Sequence, residues 1–265
     1  MRKKPPVFKG KSFKNASVKD MPKWGKAGAL DIERNPQVNI GAQRQLTVRV
    51  KTARGRKPSS TRWLERQLND PYVYEANRLG YRSRAAFKLI EIDDKFKILK
   101  RGQSVVDLGC APGGWLQVCA QRLGAKGTVL GIDLQEIEPI AGLTILVGDM
   151  REPQHQQTII DHCPGGADVV LSDMAAAATG HANTDHIRIM DLVAIALDTA
   201  ESVLRPGGAF VAKVLAGGAQ GALMTRIKQD FKKVHHFKPP SSRADSREEF
   251  LVALGWRGSG GNKLE

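Results

Sequence analysis

The most informative segment of the chain is Val105-Val106-Asp107-Leu108-Gly109-Cys110-Ala111-Pro112-Gly113-Gly114-Trp115, a β-branched run that reaches an acid and continues into a glycine-rich turn. This pattern predicts a strand, a tight loop and the start of a helix. Gly109, Gly113 and Gly114 carry no side chains where backbone must approach a ligand, and Pro112 fixes φ before the helix. An α/β sheet holds a nucleotide-like cofactor in this way, at the carboxyl end of a strand.

The glycine spacing differs from the dinucleotide fingerprint G-x-G-x-x-G, which requires glycine at position 111, where this chain has Ala111. Hydride transfer is therefore the weaker interpretation. Taken by itself, the turn is also compatible with a plain connection between a strand and a helix.

Three further buried strands are predicted downstream, and an acidic residue ends or follows each of them. They are residues 128–133 ending in Asp133, 143–147 followed by Asp149, and 168–172 followed by Asp173. Together with Asp107, these aspartates place four carboxylates along one edge of a parallel sheet, where open α/β sheets bind ligands. One such aspartate is equally consistent with a helix N-cap, whereas four in register favour ligand binding.

Apolar periodicity predicts the remaining elements of a single α/β domain. Helices are predicted at residues 84–96, 185–204 and 219–231, and Pro206-Gly207-Gly208 is expected to stop the second. Strand ends are predicted at Asp107, Asp133, Val147 and Ser172, and further strands at 209–215, 234–237 and 250–254. No helix fits between the last two strands, so we expect them to pair antiparallel.

Three more segments carry a family resemblance: Tyr81-Arg82-Ser83-Arg84-Ala85-Ala86-Phe87-Lys88-Leu89, Phe210-Val211-Ala212-Lys213-Val214, and Ser241-Ser242-Arg243 followed by Ser246-Arg247-Glu248. With the glycine turn, they make residues 62–257 resemble the RlmE/FtsJ family of ribosomal RNA 2′-O-ribose methyltransferases, a branch of the class I S-adenosylmethionine-dependent methyltransferases. The resemblance implies an α/β, Rossmann-like class I methyltransferase fold. Its sheet would have seven mostly parallel strands with an antiparallel last strand, and helices on both faces.

The family's Lys-Asp-Lys-Glu catalytic set falls on Lys88, Asp173, Lys213 and Glu248. A ribose 2′-hydroxyl is a poor nucleophile near neutral pH, so an enzyme must align it with the methyl group and help it lose its proton. Lys213, at the end of a strand, would act on this hydroxyl, and Lys88 would be a second cation beside it. Asp173 and Glu248 would orient the two ammonium groups. A lone lysine at a strand end is otherwise expected to be a surface residue.

The implied cofactor is S-adenosyl-L-methionine. The resemblance assigns to it Gly113 and Trp115 beside the methionine part, Asp133 at the ribose hydroxyls, Asp149 at the adenine amino group and Asp173 near the sulfonium. Carboxylates suit hydroxyl, amino and cationic partners. Trp115 is equally compatible with an ordinary core position. Asp107 could contact the methionine amine or stabilise the loop.

The loop after Asp173 departs from the family pattern. The family continues with proline and asparagine after the equivalent of Asp173-Met174-Ala175, whereas this chain has Ala176 and Ala177. The loop therefore lacks a rigid residue and a polar side chain, and we expect this loop to position the substrate differently.

The net charge of +14 is concentrated at the N-terminus. Residues 1–57 contain 16 Lys and Arg against 3 acids, whereas the rest of the chain contains 25 against 24. We interpret 1–57 as a disordered basic tail that contacts phosphate, with a role in solubility alone as the alternative. The catalytic domain is expected at 58–257 and a flexible C-terminus at 258–265.

Charge is also segregated within the domain. Residues 78–101 contain eight basic side chains against three acids, and 226–247 contain seven against two. The segment between them, 102–225, contains six against thirteen. If both basic flanks fold over the carboxyl edge of the sheet, they form a phosphate-binding rim around an acidic cofactor pocket. A basic helix is otherwise simply a solvated face.

Composition narrows the functional classes. Cys110, Cys119 and Cys163 form no C-x-x-C pair, which argues against a disulfide framework and a zinc site and for a reducing compartment. The sequence shows no signal peptide and no apolar run long enough for a bilayer. We therefore expect a cytoplasmic, metal-free protein, and the family resemblance implies a monomeric enzyme that methylates a uridine of the large ribosomal subunit. The alternatives are the same chemistry on tRNA or an mRNA cap, and a non-catalytic RNA-binding protein.

Overall fold

The structure is a computed structural model that describes residues 58–176, 179–216 and 221–258. The tail expected at 1–57, and the chain from 259 onward, lie outside the described residues, as does Ala177. The elements in chain order are α1 (Pro58–Leu68), α2 (Pro71–Leu79), α3 (Ala85–Phe96), β1 (Ser104–Leu108), α4 (Gly114–Leu123), β2 (Thr128–Asp133), β3 (Thr144–Val147), α5 (Pro153–His162), β4 (Ala167–Ser172), α6 (Ala182–Val203), β5 (Leu204–Leu215), α7 (Ala222–Asp230), β6 (Phe231–Phe237) and β7 (Glu248–Trp256).

These strands form one seven-stranded sheet in the order β3-β2-β1-β4-β5-β7-β6. β1 to β5 are parallel, and β7 lies antiparallel between β5 and β6. The predicted mostly parallel sheet with an antiparallel last strand is confirmed. The carboxyl ends of β1 to β5 therefore share one edge with the first residues of β7.

Helices cover both faces because strand residues alternate between them. One face carries Val106, Leu130 and Phe210, which belong to a core cluster with α5, α6 and α7. The intervening residues turn to the opposite face, where the Trp115 ring of α4 packs against Phe250 of β7 with centroids 5.7 Å apart. Lys213 follows Ala212, a member of the first cluster, and thus belongs to the face of α3 and α4.

The starts of two strands, β5 and β6, differ most from the sequence prediction. β5 begins at Leu204, directly after α6, and not after Pro206-Gly207-Gly208. Leu204 pairs with Ala167 and Ala209 with Val169, so the Pro-Gly-Gly segment bulges between two paired positions. The strand interpretation of 209–215 was therefore too short, because proline and glycine mark a bulge here and not a loop.

β6 begins at Phe231, three residues before the predicted start. The sequence does not predict this start because Lys232 and Lys233 break the apolar pattern of a strand. Both lysines are exposed, which is a common arrangement in a strand at the edge of a sheet. The predicted antiparallel pairing with β7 is confirmed. The preceding helix ends at Asp230 and not at Phe231.

Candidate active site

The first pair of the predicted catalytic set joins two neighbouring strands. Lys213 lies on β5 with 8% of its surface exposed, and Asp173 directly follows β4. The Lys213 Nζ donates to the Asp173 carboxylate at 2.9 Å and to its backbone carbonyl at 2.6 Å. An ammonium group has three N–H bonds. Two are thus fixed by Asp173, and the third can serve another oxygen.

The second pair joins a helix to the antiparallel strand. Lys88 of α3 and Glu248 at the start of β7 approach to 2.5 Å between Nζ and Oε1. The Lys88 Nζ also lies 5.8 Å from the centroid of the Phe250 ring. Phe250 is the register partner of Lys213 on β5. The fold therefore brings both lysines of the predicted set to one phenyl ring, each with its own carboxylate.

A buried ionic network holds the two segments that carry this second pair. The Asp70 carboxylate accepts from the backbone N–H of Tyr72 at the start of α2, and it pairs with Arg84 and with Arg243. Arg84 immediately precedes α3, and its guanidinium also donates to the Ser241 carbonyl. Asp70 thereby connects α2, α3 and the loop that leads into β7.

Glu91 strengthens the same junction from α3. Its carboxylate accepts from the backbone N–H of Ser241 at 2.9 Å and from the hydroxyl at 2.6 Å. Burial raises the pKa of Glu91, and the bonds from Ser241 oppose this rise. The sequence interpretation missed Asp70 and Glu91. Asp70 before Pro71 is a typical helix N-cap pattern, but nothing local indicates its arginine partners.

The glycine turn forms as predicted between β1 and α4. Gly109 has φ of 80°, and a Cβ there would come within 2.6 Å of the Met174 side chain, so glycine lets the loop after β4 approach. Gly113 has φ of 103° at the start of α4, where a Cβ would meet Arg82 at 2.9 Å. The backbone N–H of Ala111 donates to Asp133 at 2.9 Å. The turn is thus fixed by its neighbours on both sides.

Arg82 has a role that the sequence interpretation missed. Its guanidinium donates to the carbonyls of Pro112, Glu138 and Pro139, and so joins the glycine turn to the loop after β2. Its backbone N–H donates to the Gln117 side chain of α4 at 2.7 Å. Arg82 therefore shapes the loops at the carboxyl edge and is not a free member of the expected phosphate rim.

Asp107 is the unusual carboxylate of this edge. It is fully buried on β1, and neither of its oxygens has a hydrogen-bond partner among the described residues. Burial raises the pKa of Asp107 well above its ordinary value, and the nearby Asp173 and Asp133 add to the rise. No hydrogen bond from the loop reaches this side chain, so the structure offers nothing for a loop-stabilising role. A donor from a ligand would satisfy it.

The remaining predicted cofactor residues lie in different surroundings. Asp133 accepts backbone N–H groups from Ala111 and Gln135, one on each oxygen, and each oxygen keeps a lone pair. Asp149 pairs with Arg151, whose hydrogen bonds lower the pKa of Asp149 to about 2. Trp115 is 3% exposed and donates its indole N–H to the Ala85 carbonyl at 2.8 Å, which is an ordinary core position. Its place beside a cofactor stays a prediction.

The two basic flanks do not both lie over this edge. Arg226 pairs with Asp198 and Glu201 on α6, and Arg243 pairs with Asp70. Lys100 and Arg101 precede β1 and therefore lie at the opposite edge of the sheet. The expected rim is wrong for Lys100 and Arg101, because charge counted along the sequence does not record which end of a strand each side chain adjoins. Arg226 and Arg243 are instead occupied by carboxylates of the chain itself.

Within the part of the chain that the structure describes, no group of three or more His, Cys, Asp or Glu side chains is arranged to hold a metal ion. Cys110, Cys119 and Cys163 are buried and free. Burial raises the pKa of Cys119. Among residues 58–176, 179–216 and 221–258, no helix has the length and apolar character of a membrane span.

Comparison with known proteins gives a consistent family. Residues 81–256 match the family described as FtsJ-like methyltransferase. The protein named "Ribosomal RNA large subunit methyltransferase E" of Jannaschia sp. (strain CCS1) is 58% identical over 224 residues, which cover 82% of this chain and 94% of that protein. Its namesake in Paramagnetospirillum magneticum is 54% identical over 224 residues, with 83% and 92% covered.

A solved structure agrees with these relatives. A Plasmodium falciparum crystal structure, described as a ribosomal RNA methyltransferase, matches with a TM-score of 0.60 and 31% identity and covers 67% of this chain and 100% of that chain. The family match runs from the residues before α3 to the last residue of β7. It therefore includes the whole sheet and both lysine–carboxylate pairs. The chain belongs to the FtsJ-like methyltransferase family.

Proposed function

We propose that this protein transfers a methyl group from S-adenosyl-L-methionine to the 2′-hydroxyl of a uridine ribose in large-subunit ribosomal RNA, within the assembled subunit. The observation that carries the proposal is the convergence of Lys213–Asp173 and Lys88–Glu248 on Phe250. The family and the names of the relatives support ribosomal RNA as the substrate class. They favour it over tRNA and an mRNA cap.

Lys213 would act on the ribose oxygen. Asp173 fixes two of its N–H bonds, so the remaining bond can stabilise the negative charge that develops on the oxygen as the hydroxyl proton passes to water and the methyl group bonds to the oxygen. When bound, S-adenosylmethionine supplies a methyl group that its sulfonium already activates for transfer. The chain must therefore align this oxygen and hold the charge, and it needs no covalent intermediate.

Lys88 would hold the ribose or its phosphate beside Phe250. Its partner Glu248 keeps the ammonium group at a fixed place, and Asp70 holds the two segments that carry this pair. A non-catalytic RNA-binding protein would have no need of two lysines fixed in this way. The Lys88–Glu248 pair is nevertheless open to substrate, since the side chains of Lys88 and Glu248 are 13% and 21% exposed.

The residues at the carboxyl edge fit S-adenosylmethionine. The methionine part carries an ammonium group, which would supply the hydrogen bond that the buried Asp107 carboxylate lacks. The free lone pairs of Asp133 suit the ribose hydroxyls, and Gly113 allows close approach of the backbone. Asp149 would receive the adenine amino group beside Arg151. Asp173 would lie near the sulfonium.

Methyl transfer from tritiated S-adenosylmethionine tests the proposal. The substrates are undermethylated large subunits, free ribosomal RNA, tRNA and capped RNA, and the labelled nucleotide is mapped on each. We expect label on one uridine 2′-oxygen, and most of it with large subunits. Label on tRNA or the cap alone would contradict the proposed substrate, and no label on any RNA would contradict the proposed activity.

We further propose that the enzyme works in the cytoplasm as a monomer. One chain contains the complete catalytic set, which supports the monomer. Light scattering coupled to size exclusion should give the mass of one chain, 28.9 kDa, and fractionation should place the protein with soluble large subunits. A stable dimer, or recovery with membranes, would contradict this.

A further inference from the structure

The edge of the sheet opposite the catalytic set contains a second cavity. Its volume is about 470 Å³, and it lies between the first residues of β4 and β5 and the last residues of β7. Its lining includes four cationic side chains, Lys97, Lys100, Arg101 and Arg205. Gly207 and Gly208 of the β5 bulge expose backbone in the same lining.

Positive charge is in excess around this cavity. Its one acidic lining residue, Asp168, is buried, accepts from the Ser104 backbone at 2.8 Å and pairs with Arg205. Lys97 comes within 4.0 Å of Asp94. Lys100 and Arg101 are exposed, and no carboxylate of the described chain forms an ion pair with either. The charges of these two side chains are therefore free to meet an anion.

Two further exposed lysines extend the positive surface. Lys126 adjoins Gly102, which follows Arg101, and Lys232 adjoins Gly255 in the cavity lining. Both lysines are exposed. They come from the loop before β2 and from β6, so four separate segments contribute cations to one edge of the sheet. We call Lys100, Arg101, Lys126, Arg205 and Lys232 the amino-edge surface.

We propose that the amino-edge surface binds the phosphate backbone of the substrate RNA at a point remote from the target nucleotide. The inference rests on the proposed function. Asp168 beside this surface and Asp173 at the catalytic set lie at the two ends of β4. Five residues at about 3.3 Å each separate them by about 17 Å. A nucleotide at Lys213 cannot reach so far, whereas a folded ribosomal RNA can extend over both edges.

The chemistry of the surface favours a polyanion with regularly repeated charges. Lysine and arginine side chains on several segments suit successive phosphates, and such contacts add affinity without reading sequence. The surface would thus hold the large subunit while the carboxyl edge selects the ribose. This division explains why the catalytic lysines can remain committed to their carboxylates.

A charge-matched pair of variants tests the proposal. K100Q/R101Q removes two positive charges from the amino-edge surface, and Q156E/I160E changes the net charge by the same amount on α5, where both positions are exposed. Binding is measured over a series of salt concentrations, with a long large-subunit RNA fragment and with an oligonucleotide that contains only the target region. KM and kcat are measured with undermethylated large subunits.

We expect K100Q/R101Q to reduce the salt slope on the long RNA by about 1.4–1.8, because each lost phosphate contact removes about 0.7–0.9. Its KM for subunits should rise on the order of tenfold, with unchanged kcat and unchanged oligonucleotide binding. Q156E/I160E should behave like the wild type. K126Q/K232Q, on two other segments, should reproduce the effect independently.

Equal salt slopes for wild type and K100Q/R101Q, or equal losses in K100Q/R101Q and Q156E/I160E, would overturn the proposal. Unchanged RNA binding together with lost binding to phosphatidylserine vesicles would assign the surface to a membrane and also overturn it. Failure of the proposed function looks different, since the wild type would then methylate no RNA, or only tRNA or the cap. In that case the salt slopes of RNA binding would still show whether the amino-edge surface contacts phosphate.

Discussion

The two edges of the sheet use positive charge in different ways. At the carboxyl edge, Lys213 and Lys88 each face a carboxylate at hydrogen-bonding distance. At the amino edge, Lys100 and Arg101 are exposed and form no ion pair within the described chain. Fixed ammonium groups suit a reaction that depends on alignment, whereas exposed cations without a carboxylate partner suit affinity for phosphate. The difference shows that the partner of a cation, more than its charge, indicates its function.

Removal of a paired lysine should have the largest effect on activity. We expect Lys213→Ala to lower kcat by about 10²–10³, the range for removal of one donor that stabilises a developing negative charge on oxygen. The affinity for S-adenosylmethionine should stay nearly unchanged, because Lys213 is assigned to the substrate oxygen. Single-turnover methylation and calorimetry measure the two quantities. Substantial residual turnover would remove Lys213 from this role.

The Asp70 network gives a test of how the carboxyl edge is held together. Asp70→Ala leaves Arg84 and Arg243 without their shared carboxylate, so the free energy of unfolding should fall by about 3–5 kcal/mol, the cost of breaking a buried ion pair. Glu75→Ala is the matched control. It breaks the more exposed pair with Arg78 and should cost less than about 1 kcal/mol. Urea unfolding measures both variants. Equal losses in the free energy of unfolding would contradict the anchoring role of Asp70.

Asp107 should affect the stability of the fold and the binding of the cofactor in opposite directions. Its pKa is raised in the folded state, so its contribution to stability is present below the unfolded value of about 3.9 and is lost as pH rises through the folded pKa. Without cofactor, Asp107→Asn should therefore remove this loss of stability at higher pH. The same change should weaken S-adenosylmethionine binding by about 1–3 kcal/mol, because a carboxylate partner is lost.

Urea unfolding over a range of pH, with calorimetry of cofactor binding, measures both effects of Asp107→Asn. For the pH dependence of stability, Asp149→Asn is a control whose effect should have the opposite sign. The folded pKa of Asp149 is about 2, so its contribution to stability is fully present above the unfolded value and is lost as pH falls from that value through about 2. A cofactor affinity unchanged in Asp107→Asn would exclude Asp107 from the binding site.

The sequence predicts the carboxyl edge better than the rest of the molecule. Strand periodicity and the acids that follow each strand are local patterns, so the sequence alone is enough to place Asp133 and Asp173 at one edge. Lys88, Lys213 and Glu248 needed the family resemblance, because a lysine at a strand end has no local pattern that marks a catalytic role.

The contacts that hold this edge could not be predicted in the same way. Asp70 and Arg243 are separated by 173 residues, and each alone is an ordinary polar residue. The amino-edge surface depends on which end of each strand Lys100 and Lys232 adjoin, and that follows only from the strand order and directions. Lys232 and Lys233 also obscured the start of β6, because exposed charge at a sheet edge gives a polar pattern in a strand.

The N-terminal tail should have the smallest effect on the folded domain. Residues 1–57 carry 16 Lys and Arg against 3 acids and lie outside the described residues. Since the sheet and both lysine–carboxylate pairs lie beyond them, deletion should leave the unfolding transition and S-adenosylmethionine affinity unchanged. RNA binding should lose about 0.7–0.9 of salt slope for each tail phosphate contact, and the target nucleotide should stay the same.

Combined with K100Q/R101Q, the deletion should give additive losses of slope, because the two basic regions would contact separate phosphates. Equal slopes with and without the tail would assign it to solubility alone, and methylation at a new nucleotide would give it a part in recognition.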